Sequence, residues 1–137
     1  MNFDQLINPI NKQKLDKDGI EYFFGIPNLY FDDEKSLTTT QSEFYNDVKF
    51  PNYDDIEDFG SLLDKSSKSI FVKKLDDEIP FHSNVLEAGC GTGQLSIALS
   101  RYNRKIHSID LSKGSLIEAK KFIDKTDIKN VHLYRMN

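Results

Sequence analysis

The chain has 137 residues, a net charge of −4, 38% hydrophobic and 29% charged residues, values of a folded soluble domain rather than a disordered or membrane chain. Its one cysteine, Cys90, excludes an internal disulfide and a cysteine-only zinc site, and its basic residues are scattered, with pairs such as Lys73-Lys74 and Lys120-Lys121 but no broad nucleic-acid footprint. No apolar run approaches the roughly 20 residues of a membrane span, and MNFDQLINPI lacks the basic start and apolar core of a signal peptide, so a cytoplasmic location is the default expectation.

Residues 1–35 hold a turn signal at Lys17-Asp18-Gly19 and a strand-forming run, IEYFF, which Gly25-Ile26-Pro27-Asn28 is expected to break. A small β-rich appendage is predicted there. Residues 36–65 are polar and acidic, with an aromatic cluster of Phe44, Tyr45, Phe50, Tyr53 and Phe59. Their expected use is a linker and helix whose aromatics pack on the next domain. The alternative is a lid in which Tyr45 and Tyr53 fold over a ligand.

From residue 66 the pattern is regular. Ser66–Glu78 suits one helix, with Phe71, Val72, Leu75 and Ile79 on its inner face and Pro80 closing it. A strand follows at Asn84–Ala88, then a glycine loop, Gly89-Cys90-Gly91-Thr92-Gly93. The next helix places Leu95, Ala98, Leu99 and Tyr102 at helical spacing. A second strand, Lys105–Ile109, ends at Asp110; a helix from Ser112 to about Ile123 and a third strand at Val131–Met136 complete the series. Strands alternating with helices through short loops predict an α/β, Rossmann-like, doubly wound parallel sheet, here of three strands after the β-rich appendage.

In a parallel sheet, ligands sit at the carboxyl ends of the strands. The glycine loop, Asp110, and the pair Met136 and Asn137 all fall on that edge. Side chains at Gly89, Gly91 or Gly93 would clash with a close ligand or forbid a positive φ. Asp110 can accept hydrogen bonds from both hydroxyls of an unphosphorylated ribose. The dinucleotide fingerprint G-x-G-x-x-G fails in both frames: Gln94 or Ser96 stands where the third glycine is required.

The string Glu87-Ala88-Gly89-Cys90-Gly91-Thr92-Gly93 resembles the first motif of class I S-adenosylmethionine-dependent methyltransferases, E/D-x-G-x-G-x-G, and the likeness runs through VLEAGCGTGQLSIAL. It covers about residues 66–137 and implies S-adenosyl-L-methionine as cofactor. Glu87, Gly89, Cys90, Gly91 and Gly93 would then surround the methionine end, and Asp110 would take the ribose. Leu111, Met136 and Asn137 would meet the adenine. Asn137 stands where the family often has an acidic residue, so it keeps an acceptor without the charge. More faintly, LINPINKQKL and GIPNLYF resemble a zinc-ribbon-like domain fused to some methyltransferases. Asn8, Pro9 and Asn11 occupy its Cys-Pro-x-Cys positions, so a metal-free copy is predicted.

The expected division is therefore a metal-free ribbon-like segment (1–35), a linker or lid (36–65) and an incomplete cofactor-binding domain (66–137). The resemblance implies seven strands, so a three-strand portion should be inactive alone and leave its first strand as an exposed apolar edge. No catalytic residue is assigned, since methyl transfer from a sulfonium has no obligatory one, and no metal site is expected. Cys90 reads as a packing residue, and His82, His107 and His132 as structural. The methyl acceptor stays open among small molecules, tRNA and proteins. The competing readings are an NAD- or other nucleotide-binding Rossmann enzyme and a non-catalytic methyltransferase-like scaffold.

Overall fold

A computed structural model describes residues 7, 12–14, 16–31 and 51–136. Asn8, Pro9, Asn11, Phe44, Tyr45, Phe50 and Asn137 lie outside them.

After a short 3-10 turn at Lys17–Gly19, the chain makes β1 (Glu21–Phe23) and β2 (Ile26–Asn28), then α1 (Phe59–Ser67) and α2 (Ile70–Glu78). The α/β series follows: β3 (Asn84–Ala88), α3 (Gln94–Leu99), β4 (Lys105–Asp110), α4 (Lys113–Lys125) and β5 (Val131–Arg135). The strands form one sheet in the order β1-β2-β5-β4-β3, parallel except for the β1–β2 pair. This is the Rossmann-like α/β architecture predicted.

Local chemistry explains the helix starts. Asp58 caps α1 in a reciprocal capping box with Ser61, Ser69 caps α2 through Val72 N–H, and Ser112 caps α4 through Ser115 N–H. The cap at Ser69 divides the single helix expected over Ser66–Glu78 into two. It also sets the frame of α2, so Val72, Leu75 and Ile79 pack against the core while Phe71 is 64% exposed. Tyr102 likewise falls beyond the end of α3, at positive φ, and is exposed.

The hairpin departs from expectation in an informative way. Ile26–Asn28 does not break the β run but returns as β2 after a turn at Phe24-Gly25, both with positive φ as a two-residue type I′ turn requires. Leu29 N–H donates to the Arg135 carbonyl at 2.8 Å, extending the β2–β5 pairing. The β-rich segment is thus built into the sheet, which among the described residues has five strands rather than three.

Alternation sorts the two sheet faces. Ile106, Ser108, Val131 and Leu133 are buried on the face that receives α3 and α4. Helices α1 and α2 pack on α3, so the described helices gather on that side. The other face carries Leu86, His107 and His132, with Leu86 63% exposed. Among the described strands, β3 is the last of the sheet on the side away from β5.

Arg104 locks the helical layer from beneath. It is fully buried and donates to the carbonyls of Pro80, Asp76, Ile79 and Leu99, and to the Asp76 carboxylate at 2.5 Å. The Asp76 carboxylate also receives Arg101. One guanidinium therefore satisfies carbonyls from the ends of both α2 and α3.

Candidate functional site

The glycine loop crosses the carboxyl end of the sheet. Gly89, Gly91 and Gly93 have φ of +74°, +55° and +77°. Three backbone bonds close the loop: Gly89 and Cys90 N–H both donate to the Ile109 carbonyl, at 2.9 and 3.0 Å, and Gly93 N–H donates to the Cys90 carbonyl at 2.9 Å. The glycines differ in what surrounds them. A Cβ on Gly89 would meet nothing within 4 Å, whereas one on Gly93 would lie 3.1 Å from Ala119 Cβ. Gly89 therefore borders open space, and Gly93 lets α3 approach α4.

Asp110 joins the loop to the next turn. Its two carboxylate oxygens accept Gly91 N–H at 2.7 Å and Ser112 N–H at 2.8 Å. A carboxylate has about four lone-pair sites, so acceptor capacity remains for two hydroxyls. Met136 N–H donates to the Asp110 carbonyl at 3.1 Å, which places Met136 at the same edge. Leu111 is half-buried there, its carbonyl accepting Arg135 Nε–H at 3.0 Å.

Glu87 lies beneath the loop. Its carboxylate accepts the Ser96 hydroxyl, and Ser96 and Ser108 are hydrogen-bonded at 2.6 Å. Burial raises its pKa, the Ser96 hydrogen bonds oppose that rise, and nearby Asp110 adds to it. This network ties β3, α3 and β4 together directly under the glycines. Cys90 is buried, and its thiol pKa is pushed up, first by burial and then by the charges of Glu87 and Asp110. It stays protonated and packs, which disfavours a nucleophilic role.

Sequence reasoning placed Gly89, Cys90, Gly91, Gly93, Asp110, Leu111 and Met136 near one another, and the structure brings them to one edge. It missed the supports. Gln94 and Ser96 entered only as departures from a dinucleotide pattern, yet Ser96 is a node of the buried network and Gln94 Nε2 donates to the Asn52 carbonyl at 2.5 Å. Nothing in the local pattern signals a bond to a residue 42 positions earlier. Among the described residues, no three His, Cys, Asp or Glu side chains cluster as metal ligands, and no helix is long and apolar enough to cross a membrane. A cavity of about 370 Å³ lined by Tyr22, Pro27, Ile128 and His132 shares no residue with the loop.

Several solved structures resemble the chain. One, from Methanococcus maripaludis, is described as an S-adenosyl-L-methionine-dependent methyltransferase; it is 16% identical over 78% of this chain and 45% of its own, with a TM-score of 0.48. The SAH-bound Podospora anserina methyltransferase PaMTH1 is 17% identical over 73% of this chain and 42% of its own, with a TM-score of 0.41. A SAM-dependent methyltransferase from Aquifex aeolicus is 18% identical over 70% and 47%, with a TM-score of 0.40. The chain thus spans less than half the length of each. No curated protein matches it. Residues 85–137 match the family model described as "Methyltransferase domain". The matched segment includes the glycine loop and Asp110.

Proposed function

We propose that the chain carries the cofactor-binding part of a class I S-adenosyl-L-methionine-dependent methyltransferase. The observation that carries this reading is the junction of loop and strand. Gly89 turns left-handed beside open space, and Gly91 N–H is held by Asp110, whose remaining acceptor sites suit a ribose. The family match over residues 85–137 supports it.

The residues present fit the cofactor. Gly89, Cys90, Gly91 and Gly93 would hold its methionine end by backbone groups, with Glu87 bracing them from below. Asp110 would bind the ribose diol, and Leu111, Met136 and Asn137 would hold the adenine. When bound, the cofactor supplies a methyl on a sulfonium, already activated as an electrophile. What remains for a protein is to align an acceptor with the S–CH₃ bond and exclude water. No residue described here is assigned to acceptor chemistry.

The test is calorimetry of the chain with S-adenosylmethionine, S-adenosylhomocysteine and NAD, repeated with Asp110→Ala. Binding of the first two, lost in the variant, is expected. Binding of NAD alone would favour the dinucleotide reading, and indifference to Asp110→Ala would favour a scaffold that keeps the fold without the ligand.

A further inference from the structure

Residues 51–53 run against the glycine loop, and three side-chain hydrogen bonds join the two. The Tyr53 phenol donates to the Thr92 carbonyl at 2.6 Å. Thr92 Oγ1 donates back to the Pro51 carbonyl, and Gln94 Nε2 donates to the Asn52 carbonyl at 2.5 Å. Thr92 is only 1% exposed, so this exchange is shielded from water. The segment has its own anchor. The Tyr53 ring stacks on Phe122 of α4 with centroids 4.5 Å apart, and Ile56 N–H donates to the Tyr53 carbonyl at 3.0 Å. Burial raises the Tyr53 pKa, aided by nearby Cys90 and Glu118, so the phenol remains a donor at ordinary pH.

A loop with three left-handed glycines in five positions loses much conformational freedom when it is ordered and has few side chains of its own to hold it. Restraint must then come from neighbouring elements. We propose that residues 51–53 are a strap that presets the glycine loop, with Tyr53, Thr92 and Gln94 as positioning residues that set affinity for the amino-acid end of the cofactor. This rests on the methyltransferase reading above. The strap touches Thr92 in the loop and Gln94 at the start of α3 directly, whereas it reaches Asp110, the ribose partner on β4, only through Gly91 N–H, and Ser112 N–H holds the other carboxylate oxygen. Its loss should therefore weaken binding at one end of the ligand more than at the other. A loop that spends part of its time in other shapes lowers affinity by the fraction that remains competent.

The experiment compares S-adenosylhomocysteine with 5′-methylthioadenosine, which keeps the nucleoside and sulfur but lacks the amino acid. Tyr53→Phe keeps the ring on Phe122 and removes only the donor; Thr92→Val does the same for its hydroxyl, and Thr92→Ser restores it. Each of the first two should weaken S-adenosylhomocysteine about five-fold, the worth of one net hydrogen bond, and methylthioadenosine less than about two-fold. Thr92→Ser should bind like the parent chain. Without ligand, amide exchange in residues 91–94 should quicken in Tyr53→Phe while that of β4 stays unchanged. Equal losses for the two ligands, no loss for S-adenosylhomocysteine, or unchanged loop exchange would overturn the strap. Failure of the unmodified chain to bind either ligand is a distinct result: it overturns the methyltransferase reading and, with it, the strap's role in affinity.

Discussion

Replacing Gly89 and Gly93 separately by alanine should divide stability from binding. Both residues have nearly the same left-handed φ, so both alanines cost about 1–2 kcal/mol in backbone strain. Only at Gly93 does the new methyl meet a packed neighbour, Ala119 Cβ at 3.1 Å. Forcing α3 from α4 by a few tenths of an ångström adds about 1–2 kcal/mol of overpacking. With an unfolding entropy of roughly 2.1 cal/mol/K per residue, 1 kcal/mol corresponds to about 3.5 °C for a chain of this length. Gly89→Ala should lower Tm by about 5 °C and Gly93→Ala by about 10 °C in a calorimetric scan. Binding should follow the reverse order. Gly89→Ala puts its methyl into the open side of the loop, so S-adenosylhomocysteine should bind more than about ten-fold more weakly. Gly93→Ala keeps the backbone groups that would face the ligand and points its methyl at Ala119 instead, so, measured well below its Tm, it should stay within about three-fold of the parent chain. Equal Tm losses, or greater loss of binding in Gly93→Ala, would refute the separate roles assigned to the two glycines.

Arg104→Met should destabilise the fold by about 3–5 kcal/mol, or roughly 10–17 °C in Tm, because it strands buried carbonyls at the ends of two helices. Arg104→Lys should recover little of this, since an ammonium cannot reproduce the five-donor fork, and a shift under about 3 °C for either variant would count against the lock. The third prediction concerns His107, whose pKa is lowered from 6.5 to about 4, first by burial and then by nearby positive charge, including His132 and Lys105. A depressed base binds fewer protons folded than unfolded, so stability is retained above about pH 6.5 and lost as pH falls towards 4. Because the ring is partly exposed, the loss is about 1 kcal/mol, or 3–4 °C, after discounting for solvent screening. His107→Gln also loses the 3.1 Å contact with the Tyr134 hydroxyl, a cost fully present where the His107 ring is neutral. The difference in Tm between the two proteins should therefore narrow between pH 6.5 and 4, and a constant difference would exclude His107 as its source.

What the sequence made legible follows the range of the interactions involved. The positions of β3, β4, α4 and β5 could be read because each is specified by its own periodicity, and Ser112 announces the start of α4 within three residues. The loop and Asp110 could be read because glycine spacing and a strand-end carboxylate are local signals. Ser69 was equally local and was missed; apolar spacing across residues 66–79 masked a cap that divides the helix. The placement of β2 beside β5 had no such signal. Asn28 and Arg135 are 107 positions apart, and three-residue strands carry almost no register information. The supports of the site fail for the same reason, since Tyr53 and Thr92 meet across 39 positions and Pro51 and Thr92 across 41. A motif names the residues that touch a ligand because those residues are close in sequence. What holds them in place comes from whichever segment the fold brings alongside, and here that is the aromatic stretch whose lid and packing readings the sequence left unresolved. Tyr53 accounts for part of that ambiguity: its ring packs on the core at Phe122 while its hydroxyl reaches the loop. Packing and loop contact are two ends of one side chain, and removing the hydroxyl alone separates them.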